Sequence, residues 1–479
     1  MNAQYALLAP EITLAVVGLV IFSVGLLIPK GSRQGMVPLT VLGILVTMAV
    51  AGAQFFSNVN GSFLDGMYLA DNYASFFKLL FLAAALLVVL SSTEYVQKLP
   101  AHRGEFYGLI LFAALGMMVM AGSGDLITLY VGLELMTISF YVLVAYLSED
   151  GKSGEAGLKY LILGAVSSAV LLYGVSFLYG LTGSTVITEI AAKLGSGMSP
   201  ATILALLLVL AGFSFKISLI PFHMWAPDIY EGAPVPITAY LAVASKAAGF
   251  AALVRVMLVG LKAQALDGNV AVALAVLIGL TMIAGNLMAI PQKNFKRMMA
   301  YSSISQAGYI AVGLLAGTPD GVKGVLFYSM IYVFANMGAF TVATVVSTAQ
   351  GSDEIKDFAG LARRSPLAAV VMTVSLLSMA GIPPLAGFVG KFYLFKALLD
   401  QGWVPLVFIA FVMSMVSVYY YLLVTRTMYM EEGADLPKIG VSGATKFTLL
   451  VTMLVTLFLG IYPSPLAKMA TIAAASLFR

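Results

Sequence analysis

Apolar runs of about 17–25 residues follow one another along almost the whole chain, the first from Glu11 to Pro29 and the last over 445–465. A helix that crosses a hydrocarbon core of about 30 Å needs that length. Lipid offers the backbone no hydrogen-bonding partner, so runs embedded in it have to be helices. Composition agrees: 61% of the 479 residues are hydrophobic and 10% are charged, against about 25% charged in a soluble domain. The sequence predicts an all-α polytopic membrane protein. Spans are expected near 11–29, 37–55, 75–93, 106–121, 126–147, 158–180, 202–222, 236–258, 269–289, 298–316, 324–347, 366–398, 403–428 and 445–465, about 14 in all, with a short interfacial helix at 183–197.

The first run lacks a basic leader and a small-residue cleavage site, so it is expected to be a retained first helix. Basic residues alternate between loops. With both termini outside, the cytoplasmic loops would hold fourteen, among them Lys30, Arg33, Lys98, Arg103, Lys293 and Lys296, and the opposite side five. That bias satisfies the positive-inside rule and favours an even number of spans.

There are no cysteines, which excludes disulfides and thiolate-bound iron–sulfur clusters. The two histidines, His102 and His223, make a His-rich metal or haem site improbable. No nucleotide-binding fingerprint occurs, and the net charge of +4 says nothing of nucleic acid.

Charges within the spans are few: Glu134 and Lys78, Lys159, Lys216, Lys246, Arg255, Lys391 and Lys396. Each costs about 2.5–3.5 kcal/mol at mid-membrane and calls for a partner, water or a function. Lys78, Arg255 and Lys396 lie within reach of helix ends and are expected to snorkel to an interface. Glu134, Lys216, Lys246 and Lys391 are not so placed.

In FKISLIPFHMWAPDIYEGAPVP, 215–236, Pro221 removes a backbone donor and clashes with the carbonyl of Ile217, so the helix must kink or unwind there, one turn after Lys216. In MAGIPPLAGFVGKFYLFKALL, Gly381, Pro383, Pro384 and Gly387 interrupt a second span, and Lys391 follows. A break exposes carbonyls that can solvate an ammonium, and broken helices in corresponding halves point to a conduction site. Desolvation lets a lysine release its proton readily, and a nearby carboxylate favours the charged form. Glu134 and Lys216 are the natural pair, with Lys159, Lys246 and His223 extending a relay.

At these residues the sequence resembles the antiporter-like membrane subunits of respiratory complex I, related to Mrp-type sodium/proton antiporters. The resemblance rests on GLELMTISFYVLVAY, KYLILGAVSSA, FKISLIPFHMWAPDIYEGAPVPITAYLAVASKAAGF, NFKRMMAYSSISQAGYI and GIPPLAGFVGKFYLF, and covers about 105–430. It implies fourteen helices, with two inverted five-helix repeats at 101–262 and 263–430 between N-terminal helices 1–3 (1–100) and a C-terminal loop and last helix (431–479). It also implies a role for each residue: Glu134 as the carboxylate, Lys216 as the proton-carrying lysine, Lys159 as the group tuning them, Lys246 as the central relay, Lys391 as the terminal lysine and His223 as the histidine after the break. Protons would be pumped by redox energy released elsewhere, with NADH, FMN, iron–sulfur clusters and quinone in other subunits and no cofactor in this chain. Expected partners are a neighbouring antiporter-like subunit, small membrane-arm subunits and lipids, in a bacterial inner membrane. The same residues would also serve an Mrp-type or stand-alone cation/proton antiporter, or a subunit of a ferredoxin-dependent relative. A structural subunit with packed lysines is the remaining reading.

Overall fold

The computed structural model describes residues 3–27, 35–97, 103–147, 149–194, 199–260, 268–431 and 437–478. His102 and the basic loop residues Lys30, Arg33, Lys98, Lys262 and Arg479 lie outside them, and the side chain of Arg103 is likewise not described.

Helices dominate. The N-terminal group is α1 (Ala9–Leu27), α2 (Met36–Phe56), α3 (Asn72–Ser91) and the short α4 (Thr93–Gln97). Then come α5 (Arg103–Gly122), α6 (Leu126–Val144), α7 (Gly151–Thr182), α8 (Ile187–Leu194), α9 (Pro200–Ile217), α10 (Trp225–Gly232), α11 (Val235–Tyr240) and α12 (Lys246–Arg255). The second half holds α13 (Asn269–Ala289), α14 (Phe295–Ala316), α15 (Pro319–Gln350), α16 (Leu361–Arg364), α17 (Pro366–Ala380), α18 (Ala386–Asp400) and α19 (Val404–Met430), followed by α20 (Gly443–Ile461) and α21 (Ser464–Leu477).

Among the described residues, twelve helices are long and apolar enough to cross a membrane. Of the other two expected spans, one falls on α14, whose first turn carries Lys296 and Arg297. The other is split into α17 and α18. The interruption expected in the 202–222 span is present as well: α9 stops at Ile217, and α10 begins at Trp225. Each break holds a cis peptide bond, Ile220–Pro221 and Pro383–Pro384, and each first half-helix ends on a left-handed residue, Ser218 (φ 61°) or Gly381 (φ 87°). Glycine tolerates that conformation without steric cost. Gly387 answers a different need: α18 approaches the end of α17 so closely that a Cβ there would collide with the Ser378 carbonyl.

The two halves have matching neighbours. In the first, α5 packs on α6, α7 on α9 and α10, and α12 on α5 and α9. In the second, α13 packs on α14, α15 on α17 and α18, and α19 on α13 and α17. The halves meet where α10 packs on α14 and α11 on α15. Nearly all of α15 is buried, because α3, α14, α17, α18, α20 and α21 surround it.

Besides short helices such as α10 and α16, two further elements went unforeseen. A β-hairpin pairs β1 (Gly61–Phe63) with β2 (Tyr68–Ala70), Gly61 opposite Ala70. After α20 comes α21, which lays its alanine face against α3 and α15. Within 183–197, where a short helix is expected, α8 is present.

Candidate functional site

In the first break, Lys216 sits on the last turn of α9, 1% exposed. Its Nζ donates a 2.9 Å hydrogen bond to Thr137 Oγ1 on α6. Thr137 Oγ1 in turn donates a hydrogen bond to the Leu133 carbonyl at 2.6 Å. Glu134 lies one turn before Thr137 on the same helix, its Oε1 buried without a hydrogen-bond partner among the described residues. Lys216 and Glu134 are therefore neighbours without being an ion pair. The carbonyl of Phe215 accepts from Trp225 Nε1 at 2.7 Å, and the indole is stacked between Tyr160 and Phe215. Trp225 thus satisfies one carbonyl that the break leaves outside the helix ladder. His223 lies in the turn after Pro221, half-buried, its Nδ1 without a partner among the described residues.

Lys246 begins α12, directly after a π-helical turn, Leu241–Ser245. Such turns interrupt the regular ladder and cluster at functional sites. Its Nζ donates to Ser303 Oγ on α14 at 2.7 Å and lies 5.7 Å from the centre of the Tyr230 ring. A small cavity opens beside it, lined by Ser303, Ser329, Tyr332 and apolar neighbours, with room for about one water.

In the second break the ammonium uses the freed backbone directly. Lys391 Nζ donates to the Ala380 carbonyl at 3.1 Å, the last residue of α17, and to Ser414 Oγ at 2.8 Å on α19. Its charge also lies 4.4 Å from the centre of the Tyr309 ring. Carbonyl, hydroxyl and aromatic face replace water around a buried cation.

Lys159 is placed elsewhere. Near the start of α7, with 42% of its side chain exposed, it pairs with Glu155 at 2.7 Å and Asp228 at 2.9 Å. Arg297 joins from α14, reaching Asp228 at 2.8 Å and Glu231 at 3.1 Å. Partial burial pushes the Asp228 carboxyl up, but the hydrogen bonds from Lys159 and Arg297 outweigh it and hold the carboxyl below its ordinary range. The described structure gives Lys159 no bond to Lys216 or Glu134.

Two of the three expected snorkelling residues do not snorkel. Lys78 is wholly buried and pairs with Glu11 of α1 at 3.0 Å, and Tyr68 Oη donates to the same carboxylate at 2.5 Å. Arg255 is buried too, and grips Asp71 with two bonds, 2.8 and 3.1 Å. Both carry their own counter-ions inside the protein, so neither has to reach an interface. Lys396 is exposed and paired with Asp400 at 2.7 Å. Lys296, read from the sequence as a loop residue, is buried at the start of α14, where it donates to the Ala233 carbonyl at 2.9 Å and pairs with Asp353 at 2.8 Å.

The geometry gathers three buried lysines on broken or irregular helices, and the sequence profile described as "NADH:quinone oxidoreductase/Mrp antiporter, TM" matches residues 123–417, which contain all three. The chain is 60% identical to NADH-quinone oxidoreductase subunit N of Desulfitobacterium hafniense over 100% of both chains. The chain belongs to this family. The subunit N of Heliobacterium modesticaldum is 55% identical, over 99% of this chain and 100% of the relative. A chain of respiratory complex I from Thermus thermophilus superposes with a TM-score of 0.83 at 34% identity, covering 96% of this chain and 99% of that one. A chain of the Mrp complex from a Dietzia species reaches a TM-score of 0.89 at 22% identity, over 100% and 98% of the two chains, and shares the fold. The antiporter-like fold is thus the frame that holds the two breaks.

Proposed function

We propose that this chain is a proton-translocating membrane-arm subunit of an NADH–quinone oxidoreductase. Redox chemistry in other subunits would drive protons through Glu134, Lys216, Lys246 and Lys391. What carries the reading is the placement of a buried lysine at each helix break, with a third, Lys246, where the halves meet. Supporting it are relatives named subunit N that match over their whole length.

The halves would act as two structural repeats, 101–262 and 263–430, flanked by 1–100 and 431–479. Their matching neighbours and paired breaks support this division. Both termini would lie on the non-cytoplasmic side of a bacterial inner membrane, and the partners would be a neighbouring antiporter-like subunit, small membrane-arm subunits and lipids. Lys159 would tune the first relay from its ion-pair cluster, and His223 would supply a titratable group beside it.

The test is a native gel of gently solubilised membranes stained for NADH dehydrogenase, followed by proton pumping of the Lys216→Ala and Lys391→Ala complexes. Co-migration with a large active band and loss of pumping are expected. Migration apart from any dehydrogenase would refute the assignment, and normal pumping by both variants would refute the relay.

A further inference from the structure

We infer that Gln306 is a positioning residue for Lys391, fixing the end of the second broken helix whose carbonyl holds the lysine. The inference rests on the relay reading above.

A helix leaves its last four carbonyls without partners in its own ladder. On α17 these belong to Leu377, Ser378, Met379 and Ala380. The first two accept from the backbone N–H groups of Gly381 and Ile382 as the chain turns. Gln306 Nε2 donates to the third, Met379, at 3.1 Å. The fourth, Ala380, takes Lys391 and Ser414. Adjacent carbonyls are thus held by a neutral amide that keeps its protons and an amine that can release one.

The amide is itself fixed. Tyr328 Oη on α15 donates to Gln306 Oε1 at 2.5 Å, and Gln306 Nε2 donates also to Tyr421 Oη on α19 at 3.3 Å. Tyr421 shares a further 2.5 Å hydrogen bond with Ser302. Gln306 is wholly buried, and a buried network of this kind holds its geometry because every lost partner is costly.

Its position on α14 links it to two lysines, Lys246 at the junction of the halves and Lys391 in this half. Ser303, the acceptor for Lys246, lies one turn before it; Tyr309, whose ring backs Lys391, lies one turn after. Residues at this spacing share a helix face. A shift of α14 at Ser303 would therefore reach, through Gln306 and the end of α17, the Ala380 carbonyl that holds Lys391. The titratable groups packed around the assembly, among the described residues, are the Lys391 amine and the phenols of Tyr309, Tyr328, Tyr332, Tyr420 and Tyr421.

The test uses the whole NADH–quinone oxidoreductase in proteoliposomes, comparing Gln306→Leu, Gln306→Glu, Tyr328→Phe and Lys391→Ala. Protons moved per NADH are followed against pH, with uncoupled NADH oxidation as the assembly control. Gln306→Leu should lower pumping about tenfold, the size of one lost ordered hydrogen bond to this site, and displace its pH profile. A carboxylate at 306 should hold the Lys391 proton and slow pumping. Tyr328→Phe, which removes one hydroxyl, should displace the profile in the same direction as Gln306→Leu and by less. It decides the matter alone if Gln306→Leu does not assemble. Parental pumping and pH profile in Gln306→Leu and Tyr328→Phe, with Lys391→Ala inactive, would overturn the role of Gln306. An active Lys391→Ala would instead overturn the relay beneath it.

Discussion

Lys216 donates its hydrogen bond to Thr137, 2.9 Å away, and makes no ion pair with Glu134, one turn earlier on the same helix. A hydroxyl gives a buried ammonium a partner without fixing its charge as a carboxylate would. Replacing Thr137 by valine keeps the volume and removes that partner, which costs about 1.5–3 kcal/mol for a charged donor. Coupled pumping in Thr137→Val should fall about ten- to a hundredfold, with Thr137→Ser near the parent. NADH-driven proton uptake into inverted vesicles reads this directly. Undiminished uptake in Thr137→Val would remove Thr137 from the pathway.

In the proposed relay Glu134 would act on Lys216 through its charge, since the two make no ion pair. Glu134→Ala should leave Lys216 in a fixed protonation state and lower proton transfer, while the complex still assembles. Full coupled pumping in an assembled Glu134→Ala complex would show the carboxylate to be dispensable.

The breaks were legible because proline, paired glycines and lysine are outliers in lipid-facing sequence; Pro221, Pro384, Lys216 and Lys391 announce themselves. Their partners were not. Thr137, Ser303, Ser414 and Gln306 are neutral, and a hydroxyl in an apolar helix commonly bonds its own backbone, as Thr137 does. The acids Glu11 and Asp71 sit at the starts of helices, where an acidic residue reads as a cap, and Asp71 does cap α3 by accepting from Ala74 N–H. That they neutralise Lys78 and Arg255 depends on how distant helices pack. The last helix, α21, escaped because 14 alanine-rich residues are too few to span.

Lys391→Arg tests whether the second break needs a group that titrates. Arginine stays protonated under all relevant conditions and carries a wider, planar head. The Ala380 carbonyl and Ser414 can still accept from it, so assembly should persist while pumping is lost. Proton uptake at the parental rate would reduce Lys391 to a fixed positive charge.

The cluster of Lys159, Asp228, Glu231 and Arg297 is partly exposed, so solvent screens each pair and leaves it only a small contribution to stability. Lys159→Ala should therefore change the melting temperature of the purified complex little. Asp228 has its carboxyl held below the ordinary value of 3.8. Its contribution to stability is present above that value and is lost as pH falls through the lower folded one. Asp228→Asn should accordingly melt below the parent at neutral pH, and the two should converge only in acid. A gap that closes near neutral pH would mean that another group titrates there.

Glu11 and Lys78 form an ion pair closed off from water, with Tyr68 Oη on the same carboxylate. Removing one member strands a buried charge, which costs about 3–5 kcal/mol, whereas replacing both by apolar residues of similar size is often neutral or stabilising. Glu11→Leu and Lys78→Met should each lower the melting temperature of the complex, and the double variant should recover most of the loss. Because Lys78 contacts none of the three lysines at the breaks and the junction in the described structure, the double variant should also pump as the parent does. Recovered stability with lost pumping would place Glu11 and Lys78 among the proton-carrying groups, and losses that simply add would show that the two residues act independently.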